Sequence, residues 1–164
     1  MGRRGDGHEV VQYVSFVVDE RLFGVDIRLV KEINPNVAIN PVPRTRPQIR
    51  GLVNIRGQVV LVIDIAVVLG RGPRRITPDS HIVILKTASE LLRIGAPWPA
   101  ETVARFGDKP IAFLVDRIRD VVTVDAGELG PVPRHLSEGN AKCFEAVVRL
   151  GDEVQLVLNP VALL

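Results

Sequence analysis

The residue types that most often carry catalysis or bind metals are few in this sequence and widely spaced. The histidines are His8, His81 and His135, and none is followed within five residues by a second histidine or a cysteine. The single cysteine, Cys143, adds no zinc-binding pattern. Neither the G-x-S-x-G pattern of a serine nucleophile nor the G-x-x-x-x-G-K-[ST] pattern of a phosphate-binding loop occurs. The sequence therefore predicts a protein that is not an enzyme, with no catalytic, cofactor-binding or metal-binding residues.

Carboxylates are the remaining side chains that could do acid–base chemistry, and they occur singly. Asp64, Asp116 and Asp125 each lie near the end of a predicted strand. We interpret them as caps and turn residues, which accept hydrogen bonds from backbone N–H groups. Two carboxylates that converge in space leave no mark in a sequence, so an enzyme with a carboxylate pair in a cleft stays open as an alternative.

Two arginines interrupt an otherwise apolar stretch, IRGLVNIRGQVVLVIDI, at residues 49–65. The stretch predicts two strands joined by a turn at Arg56-Gly57-Gln58. Arg50 follows a loop that holds other arginines, so we expect it to be solvated. Arg56 lies at the mouth of the hairpin, where a long side chain can lie along apolar surface and keep its charged head in water. We therefore predict that Arg56 faces a binding partner.

The composition indicates a small globular protein built mainly from strands. The chain has 164 residues, of which 46% are hydrophobic and only 4% aromatic, so Val, Ile and Leu must fill the core. The net charge is +2, and the basic clusters at 3–4, 44–50 and 71–75 are short and separated. Phosphate binding needs a concentrated basic face, so we expect no nucleic acid partner. A small-barrel nucleic-acid-binding module nevertheless stays open as an alternative.

Cysteine content and hydropathy indicate the compartment. With Cys143 alone no disulfide within the chain is possible, which suits a reducing cytosol, and we expect this thiol to be buried and inert. No apolar run reaches the ~18 residues that a membrane span needs, so we expect no direct membrane insertion. The first residues, MGRRGDGHE, lack the apolar core of a signal peptide. We expect a cytoplasmic protein.

Hydrophobic alternation and turn residues predict mostly short strands. Residues 1–10 are expected to be disordered. Short helices are predicted at 27–33, at 64–69, at 100–107 and in a C-terminal turn at 160–164. The predicted strands are 11–18, 22–26, 37–43 (interrupted by Pro41), 49–55, 59–63, 81–87, 111–116, 117–124, 143–150 and 154–159.

The chain repeats itself weakly. Residues 54–69 resemble residues 149–164, and GVDIRLVKEI echoes LVDRIRDVV. A parallel α/β fold would need a helix of ~10 residues between successive strands, and most connections here are too short. We therefore predict an all-β fold with short helices, made of two packed five-stranded barrel subdomains. The first subdomain is expected at 11–79 and the second at 80–164, with an insertion at 88–109.

The ordered motifs of the chain resemble those of the CheW family of bacterial chemotaxis coupling proteins. The motifs are YVSFVVDERLFGVDIRLVKEI, VPRTRPQIRG and IRGLVNIRGQVVLVIDI in the first half, and HIVIL, FLVDRIRDVVTV and LNPVALL in the second. The resemblance covers residues 11–164. The most specific part is the hairpin, with Gly51, Asn54, Arg56, Gly57 and Asp64.

The resemblance implies a non-catalytic adaptor in chemotaxis signal transduction. Family members bind the cytoplasmic tip of chemoreceptors (methyl-accepting chemotaxis proteins) and the regulatory domain of the CheA-type histidine kinase. Such a scaffold is cytoplasmic and is recruited to membrane-associated receptor arrays. The same domain also closes CheA, but this chain carries no kinase or phosphotransfer segment, so a free-standing adaptor is expected.

The resemblance also implies roles for individual residues. By motif position, Arg56, Glu32, Gly51 and Val121 fall where the family binds the receptor or supports that binding. Glu32 and Arg56 could form an ion pair. Apolar contacts to the kinase are implied for three further residues, Val14, Ile27 and Val30.

The insertion at 88–109 departs from the family, which makes a short turn there. It is either a tolerated surface insertion or an element that selects a partner. Trp98, between two prolines, would be an exposed anchor in the second interpretation.

Overall fold

The computed structural model describes residues 9–134 and 141–164, and strands dominate this part of the chain. The expected disordered segment 1–10 lies almost wholly outside the described residues. The strands are β1 (Val10–Val18), β2 (Arg21–Asp26), β3 (Val30–Asn34), β4 (Ile49–Ile55), β5 (Gln58–Asp64), β6 (His81–Leu85), β7 (Ile111–Val115), β8 (Arg117–Asp125), β9 (Phe144–Leu150) and β10 (Glu153–Leu158).

The helices of the described residues are short and connect or follow strands. Turns of 3-10 helix occur at Ile27–Leu29, Ala126–Glu128 and Ala141–Cys143. Nowhere in the described chain is there a helix with the length and hydropathy needed to cross a bilayer. The α-helices are α1 (Ile65–Val68), α2 (Ala88–Arg93), α3 (Ala100–Ala104) and α4 (Pro160–Leu163).

Two predicted elements differ in the structure. The helix expected at 27–33 is a single 3-10 turn followed by β3, because residues 30–34 pair with β6 and a helix there could not form that ladder. The strand expected at 37–43 is reduced to one bridge, in which the N–H and C=O of Asn40 bond Leu52 at 2.8 and 2.9 Å. Prolines flank this bridge and cannot donate further ladder bonds.

The strands form two five-stranded sheets that pack together. The first sheet has the order β8-β1-β2-β10-β9, and the second has the order β3-β6-β7-β5-β4. The predicted class, all-β with short helices in two packed five-stranded units, is confirmed. The units are open sheets rather than closed barrels: β8 and β9 are the edges of the first sheet, and β3 and β4 are the edges of the second.

The repeat is real, but the two halves exchange strands between the sheets. Strands β1–β2 join the first sheet and β3–β5 the second, whereas β6–β7 join the second sheet and β8–β10 the first. In each sheet one half supplies a hairpin and the other half supplies the remaining three strands. The expected boundary between 11–79 and 80–164 therefore coincides with neither sheet, because each sheet draws strands from both ranges.

Three apolar clusters hold the sheets. The largest lies between the sheets and includes Phe16 and Phe23 of the first sheet and Phe113 of the second. A smaller cluster lines the opposite face of each sheet. Cys143 is buried in the largest cluster, and burial raises the pKa of its thiol, which fits the inert cysteine that the sequence predicts.

Candidate protein-binding site

A two-residue turn at Arg56-Gly57 connects β4 and β5 and presents the Arg56 side chain to solvent. Both residues have positive φ, +51° and +83°, as the tight hairpin turn that matches strand twist requires. The Asn54 side chain accepts a hydrogen bond from the Gly57 N–H at 2.8 Å and fixes the turn. Glycine adopts this backbone freely, but for an arginine it costs about 1–3 kcal/mol. The Arg56 side chain remains 68% exposed.

The predicted ion pair between Arg56 and Glu32 is present. An Nη2 atom of Arg56 donates to Oε1 of Glu32 at 2.6 Å. Glu32 lies on β3, at the opposite edge of the second sheet from β4. The pair therefore spans the opening between the two edges, which we call the second-sheet mouth. A cavity of about 170 Å³ lies there, lined by Lys31, Glu32, Ile55, Arg56, Gln58, Val60 and Ile84.

The exposure of this pair limits what it contributes to folding. Because the Arg56 side chain is 68% exposed, the pair adds only ~0–1 kcal/mol to stability. Its clearest physical effect is orientation, since one guanidinium nitrogen is held by Glu32 and the guanidinium carries further N–H donors. Arg56 can therefore offer several N–H groups to a partner's carboxylate or carbonyl oxygen.

Gly51 acts on the backbone rather than at the surface. It is buried, lies at a β-bulge in β4, and has φ of +147°. A Cβ atom built there would meet the Asn40 carbonyl, with its carbon at 2.7 Å and the Pro41 Cα at 2.9 Å. Gly51 thus permits the close approach of residues 40–41 to β4, and it does not reach the second-sheet mouth.

Val121 lies apart from the Arg56–Glu32 pair. It is on β8, in the first sheet, and its relative exposure is 50%. It does not line the second-sheet mouth.

The three residues implied to contact the kinase differ in exposure. Val14 is only 3% exposed and packs in the cluster between the sheets, so its side chain cannot present an apolar surface. Ile27, in the 3-10 turn, and Val30, the first residue of β3, are half-buried and pack against the same cluster. The accessible part of the expected patch is therefore limited to Ile27 and Val30.

The insertion packs on the segment that carries these residues. Trp98 is half-buried against the largest cluster, and the Arg28 guanidinium carbon lies 4.9 Å from its ring centroid. Asp26 holds the same guanidinium through bonds of 2.6 and 3.0 Å. A bond of 3.0 Å between Lys31 and Glu90 ties β3 to α2. The second interpretation of the insertion, in which Trp98 is an exposed anchor, does not fit the structure, because this ring is part of the packing.

The sequence predicts one of the two helices in the insertion, α3, but not the other, α2. The predicted helix at 100–107 corresponds to α3. The helix α2 was missed, although Thr87 and Glu90 form a capping box that a Thr-x-x-Glu pattern can reveal. Nothing in the local sequence indicates that Arg28 would stack on Trp98.

A polar network joins the two sheets beside the same hairpin. Asp64 is buried and accepts hydrogen bonds from the N–H groups of Ala66 and Arg74 and from the Arg50 guanidinium, at 3.1, 2.8 and 3.3 Å. Arg50 also donates to the Arg74 carbonyl at 2.7 Å. The expectation that Arg50 is solvated is wrong. The β-bulge beside it redirects its side chain toward Asp64.

The network continues to the turn between β1 and β2. The Arg74 guanidinium bonds both Asp116 and Asp19, at 2.9 and 3.3 Å. Arg71 also binds Asp19, and its hydrogen bond lowers the pKa of that carboxyl below the ordinary value. Asp116 also accepts a hydrogen bond from the Asp19 N–H at 2.8 Å. Asp19, Asp64 and Asp116 are thus each bonded to at least one arginine guanidinium.

The polar network and the buried and half-buried aromatic residues argue against the two alternatives that the sequence leaves open, an enzyme with a carboxylate pair and a nucleic-acid-binding module. In this network Asp19, Asp64 and Asp116 are each bound by arginine, so the network presents no carboxylate without a partner. In residues 9–134 and 141–164, no three His, Cys, Asp or Glu side chains gather as a metal site. All aromatic side chains lie in described residues and none is exposed, so the surface offers no stacking platform for nucleic acid bases.

Comparison with known proteins places the whole described fold in one family. The family model described as the CheW-like domain matches residues 12–164. A chemotaxis protein CheW from Helicobacter pylori is 22% identical over 138 residues, which are 84% of this chain and 72% of that protein. The Thermotoga maritima protein of the same name is 27% identical, over 76% of this chain and 69% of its own. The Bacillus subtilis protein is 23% identical, over 92% and 85%.

A solved structure has the same fold. The crystal structure of the scaffolding protein TtCheW from Thermoanaerobacter tengcongensis superposes with a TM-score of 0.73. The match covers 97% of this chain and 90% of that protein, at 23% sequence identity.

Proposed function

This chain belongs to the CheW-like domain family, and on that premise we propose that it is a non-catalytic adaptor that couples chemoreceptor tips to a CheA-type histidine kinase. In this role the receptor's state would control kinase activity through the adaptor, with no reaction performed by the adaptor itself. The names of its relatives, chemotaxis and scaffolding proteins, support the proposal. It would act in the cytoplasm and be recruited to membrane-associated receptor arrays.

The observation that carries the proposal is the presentation of Arg56. Its backbone is held at φ +51° and its guanidinium is oriented by Glu32, yet it remains 68% exposed. The backbone of Arg56 is strained and its ion pair adds little to folding stability, so we attribute this arrangement to the binding of a partner protein. A receptor tip is a helical hairpin, and its carboxylates or helix-terminal carbonyls would accept from the free N–H groups of Arg56.

The other proposed receptor residues would act in two ways. Glu32 would orient Arg56, and Gly51 would support the hairpin through the close approach of residues 40–41. Val121 would add an apolar contact, since its exposed side chain can be covered by a partner.

We place the kinase contact on Ile27 and Val30. Ile27 lies in the 3-10 turn and Val30 begins β3; both are half-buried, and Val14 lies in the cluster against which they pack. Val14 would therefore contribute indirectly, by packing beneath Ile27 and Val30 and holding them in place. A few β-branched side chains can carry an interface when water is excluded around them.

The experiment is a co-sedimentation assay with receptor signalling tips and the CheA regulatory domain. Arg56→Glu should weaken receptor binding about tenfold or more, because it places two carboxylates together and reverses the presented charge. The double variant Glu32→Arg/Arg56→Glu restores the ion pair with reversed polarity. It should remain folded but should not recover binding if Arg56 itself contacts the receptor.

The matched control is Arg44→Glu, an exposed loop arginine that also has positive φ, +59°. It should bind as wild type does. Undiminished receptor binding by Arg56→Glu would refute the role of Arg56. Failure of the wild-type chain to bind either receptor tips or the kinase domain would refute the adaptor proposal as a whole.

A further inference from the structure

The segment that carries Ile27 and Val30 crosses from one sheet to the other. Strand β2 ends at Asp26 in the first sheet, and β3 begins at Val30 in the second. Between them lies a single 3-10 turn, in which the Val30 N–H donates to the Ile27 carbonyl. We call residues 26–31 the crossover segment. A turn this short closes few backbone hydrogen bonds of its own, so its position depends on the groups that pack against it.

The strands of the fold hold only the middle of the crossover segment. The Lys86 N–H donates to the Leu29 carbonyl at 2.8 Å, and the Lys86 ammonium donates to the Arg28 carbonyl at 2.9 Å. The Leu29 side chain is 5% exposed and lies in the cluster between the sheets. Because β3 is an edge strand, it pairs with β6 alone among the described strands. The Arg28 side chain and the following strand therefore depend on contacts from outside the sheets.

Trp98 of the insertion packs on the first part of the crossover segment. Its ring lies against the Arg28 guanidinium, with 4.9 Å between the guanidinium carbon and the ring centroid. Asp26 binds the same guanidinium at 2.6 and 3.0 Å and also accepts from the Arg28 N–H at 2.9 Å. Trp98 and Leu29 share the wall of a small cavity of about 30 Å³. The ring thus holds a residue that is already tied to Asp26 through both its backbone and its side chain.

Glu90 of the insertion binds the last residue of the crossover segment. Its Oε2 atom bonds the Lys31 ammonium at 3.0 Å, whereas its Oε1 accepts from the Thr87 N–H at 3.0 Å and from the Thr87 hydroxyl at 3.1 Å. The capping box therefore fixes the carboxylate that holds Lys31. Leu91, the next residue, is fully buried and anchors α2 in the cluster between the sheets. The residues proposed to contact the kinase lie between these two attachments.

We propose that the insertion at 88–109 positions the kinase-contact segment through packing and not through contact with the kinase. This inference rests on the adaptor role proposed above. Trp98 and Glu90 hold the crossover segment in one conformation, so that covering Ile27 and Val30 costs little conformational entropy. A segment that adopts the binding conformation only part of the time raises the apparent dissociation constant by the inverse of that fraction. Trp98 and Glu90 are thus positioning residues.

The test measures the binding of full-chain variants to the regulatory domain of a CheA-type kinase and to receptor signalling tips. Trp98→Ala should weaken kinase-domain binding about three- to tenfold and change receptor-tip binding less than about twofold. Trp98→Tyr keeps a ring over Arg28 and should restore kinase-domain binding to within about twofold of wild type. Glu90→Gln keeps one oxygen for the Thr87 cap but removes the charge that binds Lys31, so it should weaken kinase-domain binding about twofold.

Hydrogen exchange gives a local measurement that does not need the kinase. In Trp98→Ala the amides of Val30 and Lys86, which bond within and beside the crossover segment, should exchange at least about threefold faster. The matched control is Val18→Ala, because Val18 is 1% exposed in the same core cluster but lies at the other end of the β1–β2 hairpin from Asp26. It should leave kinase-domain binding and both exchange rates within about twofold of wild type.

Leu92→Ala separates positioning from direct contact, since Leu92 is 67% exposed on α2. This variant should bind the kinase domain as wild type does. Three results would overturn the proposal: wild-type kinase binding by Trp98→Ala, an equal loss in Leu92→Ala, or unchanged exchange at Val30 and Lys86. If the wild-type chain bound no kinase domain, the adaptor role would fail, whereas the exchange rates would still decide whether the insertion holds the segment.

Discussion

Gly51→Ala should be among the most damaging single-methyl changes in the molecule. Gly51 has φ of +147°, a conformation that residues with a Cβ rarely adopt. The added methyl group would also meet backbone, with the Asn40 carbonyl carbon at 2.7 Å and the Pro41 Cα at 2.9 Å. Backbone cannot rotate aside as a side chain can. The two hydrogen bonds between Asn40 and Leu52 would be disturbed as well.

The magnitude follows from two terms. A strained backbone conformation costs about 1–3 kcal/mol, and an overpacked position costs about 1–3 kcal/mol more. We therefore expect Gly51→Ala to lower the free energy of unfolding by about 2–6 kcal/mol. Urea unfolding followed by fluorescence of Trp98, the chain's single tryptophan, measures this loss as a lower midpoint at unchanged slope.

Substitutions at two other glycines distinguish the cost of the backbone conformation from the cost of overpacking. Gly57 has φ of +83° with no atom within 4 Å of a built Cβ, so Gly57→Ala should cost only the conformational term, about 1–2 kcal/mol. Gly72 has open space and no positive φ, so Gly72→Ala should be neutral or should stabilise by about 0.4–1 kcal/mol. If Gly51→Ala lost no more stability than Gly57→Ala, the close approach of residues 40–41 would not matter, and the reasoning would be refuted.

Three further predictions concern buried or stacked groups. Burial raises the pKa of Tyr13 to about 12, and the negative charge of nearby Asp26 contributes to this rise. The phenol of the unfolded chain loses its proton at lower pH than the phenol of the folded chain, so the free energy of unfolding should fall as pH rises from about 10 to 12. Titration of tyrosinate absorbance reports this single tyrosine alone, and a folded-state midpoint near 10 would contradict the burial argument. Asp64→Ala should cost about 3–5 kcal/mol in urea unfolding, because it removes the carboxylate that binds Arg50 and two backbone N–H groups. Asp64→Asn also removes the charge but keeps one acceptor oxygen, so it should cost less; equal losses would show that the retained oxygen preserves none of these hydrogen bonds. Arg28→Ala should shift Trp98 emission to longer wavelength and cost about 1–2 kcal/mol, and no shift would show that the ring is covered by other groups.

The strands and the hairpin site could be predicted from the sequence because their signals are local. Alternation of apolar residues predicts a strand wherever the chain lies, and the glycine-containing turn expected at 56–58 predicts the hairpin at Arg56. The structure shortens that turn to Arg56-Gly57, because β5 begins at Gln58. The repeat and the ordered motifs predicted the all-β class and the family. The Glu32–Arg56 pair was also expected, although on the family resemblance and not on any local pattern.

The choice of sheet for each strand was decided only by the tertiary structure. Both sheets accept the same alternating pattern, so nothing local assigns β3 to the second sheet and β8 to the first. That exchange explains why the boundary near residue 80 does not separate one sheet from the other. It also explains the 27–33 segment, whose apolar spacing suits one helical turn but whose backbone bonds β6 across the molecule.

Side-chain partners distant in the chain were likewise beyond the sequence. Arg50 binds Asp64 because a bulge turns it, Val14 is buried because a second sheet covers it, and Trp98 packs because Arg28 lies above it. Periodicity tells which residues share one face of a strand. Burial depends on what lies against that face, and that surface is assembled from residues far away in the chain.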